Sequence, residues 1–139
     1  MSERPLPSQT LAPGREGHAA TRVTEALTAP ALGSGSLCVY GTPAMIALME
    51  QAAVACVDPH LPTGQATVGI HLDATHKSAT PLGMSVSATA KLTAVDGRKL
   101  TFSIEARDEA GVIGEAVHVR MIVDAARFEQ RLAEKSSRS

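Results

Sequence analysis

A chain of 139 residues, 44% hydrophobic and 19% charged, is one domain's worth of sequence with enough apolar content to bury a core. Its formal net charge of -1 gives no electrostatic reason to expect nucleic acid or an anionic membrane as partner, and three aromatics (Tyr40, Phe102, Phe128) leave almost nothing for a base-stacking surface. Two cysteines, Cys38 and Cys56, make no disulfide framework; with no signal-peptide pattern and no spanning segment, a cytoplasmic location is expected.

Residues 1–16, rich in Pro, Ser and Gly, read as a flexible tail ahead of a single domain over 17–135, with a disordered end at 136–139. Ala19 to Leu27 reads as a first strand, and Ala29 to Ser36 as a loop. Thr42-Pro43 signals a helix start, a hydroxyl that caps followed by proline at the first helical position. From Ala44 to Val57 only Glu50 and Gln51 are polar, so the helix must be enclosed on most sides, and Asp58-Pro59 ends it.

The remainder reads as an antiparallel meander. In Thr67 to Lys77, period two puts Val68, Ile70, Leu72, Ala74 and His76 on one face. Met84 to Thr93 and Leu100 to Arg107 alternate cleanly and are joined by a hairpin at Asp96-Gly97. Val112 to Val123 is apolar on both faces, as a covered central strand would be. Asp124 to Lys135 reads as a terminal amphipathic helix capped by Asp124. The expected class is α+β: one buried helix on an antiparallel sheet whose open edges favour pairing with a second copy.

Four polar groups interrupt this apolar pattern. Glu50 is a mid-helix carboxylate, either functional or facing a solvent gap beside Gln51. His76 is either an acid–base group or a satisfied core histidine. Arg120 needs a carboxylate, a phosphate or water, so it serves an anion site or an ion pair, with Glu50 as one partner. Thr42 is either a cap or part of an oxyanion site at the helix N-terminus, some ~12 Å along the axis from Glu50. His118 reads as a surface or core-edge histidine, as do His18, His60 and His71. No phosphate loop or nucleophile elbow is present, and no cofactor or metal is expected.

The ordered set Thr42-Pro43-Ala44-Met45-Ile46-Ala47-Leu48-Met49-Glu50, Val68-Gly69, Ala74-Thr75-His76, Val95-Asp96-Gly97-Arg98-Lys99-Leu100 and Arg120 resembles hotdog-fold thioesterases of the fluoroacetyl-CoA thioesterase type, over roughly residues 17–134. The resemblance implies a long helix wrapped by a five-stranded antiparallel sheet, a homodimer (or higher oligomer) with sites at its interface, and an acyl-CoA substrate. It implies a catalytic set of Thr42, Glu50 and His76, with Arg120 and Gly69 on the substrate side. The family's namesake carries a phenylalanine-bearing lid where this chain has Ala29 to Ser36 and no phenylalanine, so the expected activity is general short-chain acyl-CoA hydrolysis. An acyl-CoA hydratase or dehydratase on the same fold, and a non-catalytic acyl-CoA binder, are the alternatives.

Overall fold

The computed structural model describes residues 11–138. In chain order the elements are β1 (Glu16–Arg22), α1 (Thr42–Val57), β2 (Gln65–His76), β3 (Ser85–Asp96), β4 (Lys99–Asp108), β5 (Gly111–Asp124) and α2 (Ala125–Ser137). Short 3-10 turns lie at Glu25–Leu27 and Asp58–His60. The five strands form one antiparallel sheet in the order β1-β3-β4-β5-β2, so β1 and β2 are its edges. One long helix against a five-stranded antiparallel sheet is the α+β arrangement expected.

Burial of apolar surface holds α1 to the sheet. Met45, Leu48, Met49, Ala52, Ala53 and Cys56 form its buried face, set against sheet residues such as Leu92, Leu100, Phe102 and Ile104. The approach is close at Gly17 of β1, where a Cβ would stand 2.4 Å from Ala52 O. The β3–β4 hairpin turns at Gly97, whose φ of +59° suits glycine. At the next turn, Asp108 Oδ1 accepts from the N–H groups of Ala110 and Gly111 at 2.8 and 3.1 Å.

Several expectations shift. The first strand runs over Glu16–Arg22 rather than Ala19 to Leu27, because Val23 N–H turns to Met84 O and the chain then coils into its first 3-10 turn. Of the expected tail, residues 1–10 lie outside the described residues. The rest is anchored at points: Leu11 is buried, Gly14 N–H donates to Leu92 O and Arg15 Nε to Cys56 O, both at 2.8 Å, while residues 12–14 are exposed. At the other end, α2 is capped by Asp124, which accepts from Arg127 N–H at 3.0 Å, and continues to Ser137.

Strand β5 is covered along one face and only in part on the other, where Val119 is buried. Ile113, Ala116, His118, Arg120 and Ile122 are buried, whereas Val117 on the other face is 50% exposed. Helix α1 is likewise not enclosed all round. Its buried residues lie on one side, and Pro43, Ala47, Gln51 and Ala55 are exposed on the other.

Candidate active site

The start of α1 differs by one position from the sequence reading, and the difference changes what Thr42 does. Gly41 is the cap, Thr42 the first helical residue and Pro43 the second. No cap residue side chain bonds the helix end. The Thr42 hydroxyl is instead hydrogen-bonded to His76 Nδ1 at 2.8 Å. The N–H groups of Ala44 and Met45 both donate to Gly41 O, and proline has none to give. The helix start therefore offers a ligand the Thr42 N–H, which has no backbone partner among the described residues.

His76 ends β2 with its Nε2 buried and without a hydrogen-bond partner among the described residues. Burial holds the imidazole below its ordinary value, against a backbone interaction with Ser78 that pulls upward. Both members of the pair line a cleft of about 410 Å³ together with Ser34, Leu37, Tyr40 and Ser78. The ring of Tyr40 stands edge-on to His76 at 6.4 Å, and burial raises its phenol to about 12, so it stays protonated.

The carboxylate belongs to a second cluster, further along α1. Glu50 Oε2 accepts from Arg120 Nη1 at 3.2 Å, and its side chain is 42% exposed in a cleft of about 460 Å³ that Ala47, Gln51 and Val54 also line. The carboxylate is thus not desolvated within one chain. Arg120 is buried and held by β2: its Nε donates to Thr67 Oγ1 at 2.8 Å and its Nη2 to Thr67 O at 3.0 Å. The Thr67 hydroxyl in turn donates to Asp58 Oδ1 at 2.6 Å. The ion-pair reading of Arg120 with Glu50 is therefore met. Glu50 has no hydrogen bond or ion pair with Thr42 or His76 among the described residues, so one chain presents two separate clusters along α1.

How β2 serves both clusters depends on a break in its alternation. The register with β5 shifts between Gly69 and His71, leaving Ile70 unpaired and 53% exposed. The expected common face of Val68, Ile70, Leu72, Ala74 and His76 is corrected accordingly. Before the bulge the inward positions are Thr67 and Gly69; after it they are Leu72, Ala74 and His76. A Cβ on Gly69 would lie 2.9 Å from Glu50 Oε2 and 3.3 Å from Arg120 Nη1, so the ion pair occupies the space that a side chain there would fill.

Two members of the carboxylate cluster, Thr67 and His118, escaped sequence reasoning. His118 is not at the core's edge: it is 1% exposed, 3.1 Å from Arg120 Nη1 and 3.9 Å from Glu50 Oε2. Burial lowers its pKa, Arg120 adds to the effect, and the His71 carbonyl opposes it. It is therefore a neutral neighbour of Glu50 rather than a second ion-pair partner.

A neutral imidazole with a free nitrogen, bonded to a hydroxyl beside a helix N-terminus, is equipped to move protons and to hold a developing oxyanion. A carboxylate anchored through one oxygen by a buried arginine is equipped to attack a carbonyl or to activate water.

The family model described as fluoroacetyl-CoA-specific thioesterase matches residues 23–126. The fluoroacetyl-CoA thioesterase of Streptantibioticus cattleyicolor is 35% identical over 98 residues, 70% of this chain and 70% of that enzyme. Among solved structures, the fluoroacetyl-CoA thioesterase FlK superposes with a TM-score of 0.85 at 29% identity, covering 90% of this chain and 97% of that one. A Thermus thermophilus protein described as a thioesterase superfamily member superposes with a TM-score of 0.82 at 27% identity over the whole of both chains.

Proposed function

The chain belongs to the fluoroacetyl-CoA-specific thioesterase family, and from that membership and the site geometry we infer that it hydrolyses short-chain acyl-CoA thioesters to the free acid and CoA. The observation that carries the reading is the 2.8 Å bond between Thr42 and His76 in a cleft beside the start of α1.

In the proposed reaction Thr42, Glu50 and His76 are the catalytic set. With the Thr42 hydroxyl donating to Nδ1, the imidazole proton sits on the buried Nε2; a proton held on Nδ1 instead can pass by way of the Thr42 hydroxyl to the leaving thiolate. With the proton on Nδ1, the hydroxyl hydrogen is free to polarise the thioester oxygen. Glu50 Oε2 is tied to Arg120, which leaves Oε1 either to attack the acyl carbon, giving a transient anhydride, or to take a proton from the attacking water. Either way the C–S bond breaks, the sulfur gains one proton and one water is consumed: in the base route its oxygen joins the acyl carbon, and in the anhydride route it attacks the Glu50 carboxyl carbon, so that the acid leaves with a Glu50 oxygen. Gly69 and Arg120 shape the wall on the substrate side.

The two clusters join when two copies pair, so the working form is a cytoplasmic homodimer. Two features support this. Strand β2, which carries both Gly69 and His76, is an edge strand with one side free for pairing. Beside Glu50, α1 leaves a mostly apolar stripe of Pro43, Ala47, Val54 and Ala55 uncovered or half-covered, a surface that a partner would bury.

The test is thiol release from acetyl-, propionyl- and longer acyl-CoA. Release that is fastest on short chains, with Glu50→Ala or His76→Ala slower by at least ~100-fold, supports the reading. Binding of acyl-CoA without thiol release would make the protein a binding module. Single turnover in labelled water separates the roles of Glu50, because only the anhydride route puts label into its carboxylate.

A further inference from the structure

We infer that His118 is a positioning residue that aims Arg120, and through it Glu50; the inference rests on the role given to Glu50 above. Donors and acceptors around the His118 ring decide its state. His118 Nδ1 lies 2.8 Å from the carbonyl oxygen of His71, a group that can only accept. Nδ1 therefore carries the proton. On the other side of the ring, Nε2 lies 3.1 Å from Arg120 Nη1, a group that can only donate. Nε2 is therefore the bare, accepting nitrogen. Each neighbour specifies the same neutral tautomer, and the two contacts together fix the ring plane.

The consequence falls on Arg120. Its Nε and Nη2 are held by the Thr67 hydroxyl and carbonyl, and its Nη1 is shared between His118 Nε2 and Glu50 Oε2. The guanidinium is planar, so fixing all three nitrogens leaves one orientation, with Nη1 toward Glu50. Glu50 itself is 42% exposed and would otherwise sample several rotamers. Core packing alone would be satisfied by any apolar residue against Phe102, whose ring centroid is 6.1 Å away. A histidine is required only if its nitrogens matter.

Two amide variants separate these possibilities. In His118→Gln the amide oxygen can reach the place of Nε2 and keep an acceptor for Arg120. In His118→Asn the amide nitrogen can take the place of Nδ1 and keep the donor to His71, but Nη1 loses its acceptor. The expected result is a kcat in His118→Asn lower by at least ~10-fold with KM little changed, and largely restored in His118→Gln. The Arg120 side-chain 15N–H signals should exchange slowly with solvent in the wild type and in His118→Gln, and fast in His118→Asn.

Equal kcat in the two amide variants, or full activity in His118→Phe, would overturn the inference, as would unchanged Arg120 exchange in His118→Asn. Slow exchange lost in His118→Asn while Glu50→Ala stays fully active would instead remove Glu50 from the reaction and leave the positioning of Arg120 standing.

Discussion

The hydroxyl of Thr42 and Nδ1 of His76 meet at 2.8 Å across 34 positions of sequence, joining the first residue of α1 to the last residue of β2. Because Gly41 caps the helix, this hydroxyl contributes to the pair and not to helix stability. Thr42→Val should lower kcat/KM by at least ~100-fold, whereas Thr42→Ser should stay within ~10-fold of the wild type. Stability of the valine variant, from urea unfolding, should change by less than about 0.5 kcal/mol, the lower limit for loss of a true cap. A larger loss would return Thr42 to a structural role.

Gly69→Ala tests the wall behind Glu50. The new methyl would stand 2.9 Å from Glu50 Oε2, the far end of a flexible side chain, and 3.2 and 3.3 Å from His118 Cε1 and Arg120 Nη1, so the carboxylate yields first. The melting temperature should hardly move, while kcat falls by at least ~10-fold as Glu50 leaves Arg120. Retained activity would show that Glu50 works equally well from another rotamer.

Gly17→Ala should do the opposite, harming stability before chemistry. Its Cβ would meet Ala52 O at 2.4 Å and Cys56 N at 2.5 Å, backbone atoms that cannot move without shifting α1 from the sheet. A loss of about 2 kcal/mol or more in denaturant unfolding is expected. Remaining folded enzyme should keep its KM.

His76 and His118 both sit below their ordinary value of 6.5 because burial disfavours the charged ring. The unfolded chain therefore binds their protons more tightly than the folded one. Stability from these two groups is fully present above pH 6.5 and is lost as the pH falls through their folded values. Urea unfolding between pH 5 and 8 should show this slope, reduced in His118→Gln. The acid limb of kcat/KM, set by neutral His76, should have its midpoint below 6.5.

How much of this was legible in the chain depended on which signals were local. Thr-Pro and Asp-Pro bracket α1, and Asp96-Gly97 marks its hairpin, because proline and glycine restrict the backbone wherever they stand. The cap lies one residue before the Thr-Pro signal, since glycine and threonine are both acceptable at that position and only the destination of the hydroxyl decides between them. Ile70 hid the bulge, because an apolar residue fits an uninterrupted alternation. Glu50, His76 and Arg120 stood out as ionisable groups in apolar surroundings. Thr67 and His118 did not. A strand threonine is ordinary, and the weight of His118 comes from a carbonyl 47 positions away that no local pattern could supply.

The extra residue at position 70 also sets a rule of parity for this stretch of chain. Gly69 and His76 are seven positions apart, an odd number that in an unbroken strand would send them to opposite sides. Deleting the unpaired residue would leave six, an even number that an unbroken strand also sends to one side, and every pair with β5 would keep its partner. A single-codon deletion of Ile70, whose side chain is 53% exposed, should therefore straighten the strand and keep both inward groups in place, with turnover retained.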